Sequence, residues 1–172
     1  MTLAKKLGKQ FEQVKDDIQI KKISIDLGDV KFDLKLKVPL KKEMEQINTL
    51  IFSPPKEKVD AAFERISAPM RQTLEEGGEE FIKALNTNKQ SVTVTDDDLI
   101  MDGVSLRQVA QYQAIEEIKI EQYFHLLVSE SGNAVDESYE QICAEFPEFV
   151  IKEIVQAIQA AIAPDYKNAK KN

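Results

Sequence analysis

The stretch KKISIDLGDVKFDLKLKVP, residues 21–39, limits the possible folds more than any other part of the chain. Ile23, Ile25 and Leu27 alternate with polar residues before Gly28-Asp29, and Val30, Phe32, Leu34, Leu36 and Val38 alternate after it. A period of two marks a strand with one buried face. Gly28 can supply the positive φ of a two-residue hairpin turn. With the turn there, Leu27 faces Val30, Ile25 faces Phe32, and Ile23 faces Leu34, so all six share one side. Ile20 falls out of phase and is expected just before the first strand. Two strands alone are marginal in water. The apolar side of this hairpin, about 21–38, must therefore be covered by helices or by a partner.

Most of the remaining sequence has helical spacing. Leu3, Leu7, Phe11 and Val14 form one stripe and predict a helix over 3–17. Pro39 stops the second strand, and a helix follows over 40–51. Pro54-Pro55 ends that helix. Helices are expected over 56–76, with Pro69 kinking or splitting it, and over 79–86, after Gly77-Gly78. The β-prone run 91–95 is either a third strand beside the hairpin or an extended linker. Ser105 is a suitable N-cap for a long helix over 106–128. Further helices are expected over 134–145 and 148–162. The last is the most strongly amphipathic, with Val150, Ile154, Ile158 and Ile162 recurring at fours. Residues 164–172 are polar and are expected to form a flexible tail. The expected fold class is α+β and predominantly α-helical, with a small N-terminal antiparallel hairpin packed on a helical domain. Residues 1–163 are expected to form a single compact domain.

Composition excludes several classes of function. The chain has 172 residues, 23 Lys plus Arg against 30 Asp plus Glu, and a formal charge of −7. Phosphate binding draws on clustered positive charge, so this balance argues against nucleic-acid binding. One cysteine, Cys143, rules out an intramolecular disulfide and a cysteine-rich zinc site. There is no apolar signal region at the N-terminus, and no run approaches the ~20 apolar residues of a spanning helix. A cytoplasmic location without membrane contact is expected.

Chemistry-bearing residues are sparse. The single histidine, His125, has no histidine partner in the sequence. Asp96, Asp97, Asp98 and Asp102 beside Gly103 suggest a divalent-ion loop. Counting twelve from Asp96, Asp97 or Asp98 reaches Arg107, Gln108 or Val109, where a calcium loop needs glutamate. No glycine-rich phosphate loop is present. No catalytic residue, metal or cofactor is therefore assigned. The candidate partner-binding residues are Ile25, Phe32 and Leu34 on the hairpin and Val150, Ile154 and Ile158 on the final helix.

A short N-terminal helix, the hairpin KISIDLGDVKFDLKLKVP and the helical entry LKKEMEQI follow one another. This order resembles the tail assembly chaperones of long-tailed bacteriophages, over roughly residues 20–50. The resemblance implies a non-enzymatic protein of the bacterial host's cytoplasm, absent from the mature virion. Its partners would be the tape-measure protein and the tail-tube protein, with self-association into a homo-oligomer. It also implies a longer, frameshifted form, for which the lysine codons of KNAKKN offer a slippery run. Two other readings remain open. One is an unrelated adaptor or structural protein. The other is a small enzyme or divalent-ion-binding protein that uses His125 or the Asp96–Asp102 acids.

Overall fold

The computed structural model of the chain describes residues 3–87 and 91–163. Helix dominates, and two small open antiparallel sheets accompany it. The chain divides into two units, Met1–Ile47 with Ile120–Asn172 and Asn48–Lys119. The tail expected over 164–172 lies outside the described residues.

The first unit begins with α1 (Leu3–Leu7) and α2 (Lys9–Gln19). The expected 3–17 helix is broken at Gly8, whose φ of 112° suits only glycine. Strands β1 (Ile20–Asp26) and β2 (Lys31–Lys37) form the hairpin, in the register that the alternation predicts: Ile25 opposite Phe32 and Ile23 opposite Leu34. Ile20 lies within β1 rather than before it, opposite Lys37, because the ladder extends one pair past the apolar alternation. At the turn, Gly28 has φ 87°, Asp26 Oδ1 accepts the Gly28 amide at 3.0 Å, and the Leu27 amide donates to the Val30 carbonyl at 2.8 Å. Ile23, Ile25 and Leu36 are buried, whereas Val30 at the turn is exposed.

The third strand of this sheet is β6 (Leu127–Val128), not residues 91–95. Leu36 faces Leu127, and the Lys37 amide donates to the Leu126 carbonyl at 2.8 Å. The helix expected over 106–128 therefore ends early: α5 is Leu106–Phe124. The Leu126 amide bonds the Tyr123 carbonyl at 3.0 Å in a tight turn, which frees the next residues to pair with β2. Residues from Ala134 are extended at first. Ala134 bridges to Val128, and α6 is limited to Tyr139–Glu145. Ser138 sets that start. Its hydroxyl accepts the Gln141 amide at 3.4 Å, and the Gln141 side chain accepts the Ser138 amide at 2.8 Å. This reciprocal pair is a capping box. α7 (Glu148–Ile162) packs on β1, and Lys21 Nζ donates to the Ala161 carbonyl at 3.0 Å.

The boundary between the units falls within α3 (Lys41–Phe52) and within α5. In the second unit, α4 (Lys56–Thr87) joins the two helices expected over 56–76 and 79–86. Gly78 separates them, with φ 66° and ψ −172°, a region essentially restricted to glycine. Helical dihedrals continue through Pro69, so the helix is not split there. Its missing N–H leaves one carbonyl of the preceding turn without its helical donor. Strands β3 (Val92–Val94), β4 (Leu99–Met101) and β5 (Val104–Ser105) form a separate sheet. Asp102 (φ 49°) and Gly103 (φ 79°) turn β4 into β5. Val92–Val94 thus pair with Leu99–Met101 across the local turn at Thr95–Asp98, where the Thr95 amide donates to the Asp98 carbonyl at 2.9 Å, and do not extend the hairpin.

Two apolar clusters stabilise the second unit. Ala62, Phe63 and Ala110 form one, and Leu74, Val92 and Leu99 form the other, with Leu106 packed against both. Arg107 and Arg71 stand over the Phe63 ring at 4.4 and 5.4 Å. Glu117 is buried and paired with Arg65.

Candidate partner-binding groove

Within the first unit, β2, β6, the end of α5, α6 and α7 enclose an open groove of about 460 Å³. This volume falls in the range of sites that hold several apolar groups. The pleat of β2 supplies Phe32 and Leu34 from one face of the strand. Phe124, Leu127, Ile142 and Ile154 line it as buried residues, while Phe146 is 37% exposed. The Phe124 and Phe146 rings lie 6.1 Å apart at 52°. The capping box at Ser138 fixes where α6 begins, and so places Ile142 and Phe146 at the wall.

Carboxylates outnumber amines around this apolar surface. Asp33, Glu130, Glu137 and Glu145 line the groove, against Lys35 alone. Asp33 pairs with Lys22 at 2.6 Å. Hydrogen bonds from Lys22 and then Ser24, together with the charges of Lys22 and Lys31, hold its carboxyl below the usual range. The groove can accept apolar side chains from a partner that brings basic groups to its edge.

The six sequence-predicted residues separate into two sets. Phe32, Leu34 and Ile154 meet in the groove. Ile25, Val150 and Ile158 are 2%, 8% and 0% exposed and do not line it. Periodicity identifies the apolar side of an element, but it does not tell core from open surface. Phe124, Ile142 and Phe146 escaped sequence reasoning as site residues. The Ser138-x-x-Gln141 spacing and the aromatic before Pro147 were the available signals.

The residues of the alternative readings make local hydrogen bonds. His125 Nε2 lies 3.0 Å from the Glu137 carbonyl, an acceptor, so this nitrogen carries the proton. Asp98 organises the start of α5. Its Oδ1 accepts the Leu99 amide at 2.8 Å and the Arg107 amide at 2.9 Å, and its Oδ2 accepts the Ser105 hydroxyl at 2.5 Å. Ser105 in turn accepts the Gln108 amide at 3.0 Å, the capping bond that the sequence predicts. Asp102 Oδ1 accepts the Ser91 amide at 2.9 Å. Among the described residues, no group of three or more His, Cys, Asp or Glu side chains is placed to hold a metal ion. None of the described helices is long and apolar enough to cross a membrane. No protein-family model, curated protein or solved structure matches this chain.

Proposed function

We propose that the chain is a non-catalytic tail assembly chaperone of the long-tailed bacteriophage type. Its groove holds an apolar segment of the tape-measure protein and keeps that protein soluble while tail-tube protein assembles around it. The observation that carries this reading is the open groove between Phe32 and Phe146, apolar at its base and acidic at its edge. A long helical client displays apolar stripes before assembly, and an amphipathic helix is recognised by laying its stripe into such a groove. The hairpin, packed on the helices around it, is the platform, with Phe32 and Leu34 as its contact residues. The sequence order over residues 20–50 supplies the family. This role belongs to the cytoplasm of the bacterial host and ends before the virion matures. An unrelated adaptor would use the same groove, and the identity of the client separates the two.

The test is co-expression with a tape-measure protein from the phage that encodes this chain. The soluble fraction of the client should rise with the wild-type chain and fall back with Leu34→Asp. A client that is equally insoluble with and without the chain defeats the proposal. DNA sequencing beyond the Asn172 codon adds an independent check. An A-rich slippery run followed by an overlapping shifted frame, and then by a long helical reading frame, is the expected arrangement.

A further inference from the structure

The N-terminal arm presents an apolar face that is exposed among the described residues. Leu3, Leu7, Phe11, Val14 and Ile18 recur at spacings of three and four, and their exposures range from 40% to 71%. Within α2, Phe11, Val14 and Ile18 stand at i, i+3 and i+7, the anchor spacing of a helix that binds in a groove. The front of the arm is basic: Lys5, Lys6 and Lys9 precede its first acid, Glu12. The same chain also carries an open apolar groove edged by Glu130, Glu137 and Glu145. One surface is a projecting stripe with positive charge at its head, and the other is a recess with negative charge at its edge.

We propose that the arm of each chain, residues 3–19, seats its apolar face in the Phe32–Phe146 groove of a second copy. The connection favours a second copy over the arm's own groove. α2 passes into β1 with no intervening residue, and Ile20 is already paired with Lys37. The Gln19 carbonyl accepts the Val38 amide at 2.8 Å, which pins the base of the arm to the open end of the hairpin. With no residue between α2 and β1, the arm has no linker of its own with which to fold back into its own groove. In a two-fold pair each arm enters the other chain's groove, and the exchange closes as a dimer. Arm and client take the same groove in turn, the arm holding it until a client displaces it, and the inference does not depend on which client that is.

The test uses the full chain, with light scattering over a range of concentrations. Phe11→Asp removes the anchor from the arm, and Phe146→Asp removes one wall of the groove. Both residues are partly exposed, and circular dichroism checks that each variant folds. The wild type should have the mass of two chains. Each variant should associate about 100-fold more weakly, since a charge is then forced into an apolar contact. Mixing the two variants decides the matter. The intact groove of Phe11→Asp can take the intact arm of Phe146→Asp, so the mixture should dimerise where neither variant does alone. A wild-type monomer at all concentrations, a dimer indifferent to both substitutions, or a mixture that stays monomeric overturns the proposal.

Discussion

Phe124 and Phe146 share an edge-tilted contact, 6.1 Å between centroids, but only Phe124 is buried: 3% of it is exposed, against 37% of Phe146. One ring belongs to the core and the other to the groove wall. Phe124→Ala should therefore cost about 3–5 kcal/mol, the usual price of a cavity left by a core aromatic. Phe146→Ala should cost roughly 1 kcal/mol, mostly the lost ring pairing. Urea unfolding of both variants measures the difference. Equal losses would mean that Phe146 is a core residue and does not form a binding wall.

Arg65 and Glu117 bridge α4 and α5 within the second unit, with the Glu117 side chain 6% exposed and that of Arg65 47% exposed. Removing Arg65 takes a charged partner from a buried carboxylate. Arg65→Met should destabilise by about 2 kcal/mol, less than the ~3–5 kcal/mol of a fully buried pair because water reaches the guanidinium. Replacing both residues, Arg65→Met with Glu117→Leu, should recover most of the loss. A double-mutant cycle read by denaturant unfolding provides the coupling. Strictly additive losses would show that the pair contributes nothing as a pair.

Asp98 links acid stability to the start of α5. Burial pushes its carboxyl up, but hydrogen bonds from Ser105, from the Arg107 amide and from the Leu99 amide, with the Arg107 charge, outweigh burial and hold it below 3.8. A lowered folded value means that the ionised form stabilises the fold. That contribution is complete above the unfolded value of 3.8 and is lost as the pH falls through the lower folded value. Asp98→Asn should cost about 1 kcal/mol at neutral pH through the weakened cap. The gap to wild type should narrow as the pH drops below 4. Unfolding curves from pH 3 to 7 test this, and a gap that widens toward acid would reverse the assignment.

Local rules made much of this legible in the sequence. The alternation around Gly28 gave the strand register because one slipped residue would turn Ile23 and Ile25 into water. Ser105 gave the start of α5 because its hydroxyl caps an amide within the same turn. What was not legible depended on distant pairing. Leu127-Val128 continue a helical stripe in sequence, and only the free edge of β2 makes them a strand. Residues 91–95 were β-prone, but their partner was set by the turn at Thr95–Asp98. Three of the six residues singled out in the sequence, Phe32, Leu34 and Ile154, line the groove, because apolar faces are periodic. Phe124 and Phe146 were not singled out, since they meet 22 residues apart across a chain reversal.

Ser138 controls the α6 wall of the groove. α6 has only 7 residues, too few to be stable by its own hydrogen bonds, and its capping box satisfies two of the four orphan amides at its start. Ser138→Ala should cost about 1 kcal/mol, whereas Ser138→Asp should keep the cap. Because Ile142 and Phe146 hang from this helix and its end, fraying should loosen one wall while the sheet side at Phe32 and Leu34 stays in place. The expected signature in Ser138→Ala is faster amide exchange confined to residues 139–146, together with weaker binding of whatever occupies the groove. Unchanged exchange in α6 would mean that packing against Phe124 holds the wall without the cap. Faster exchange with unchanged binding would place the binding surface elsewhere.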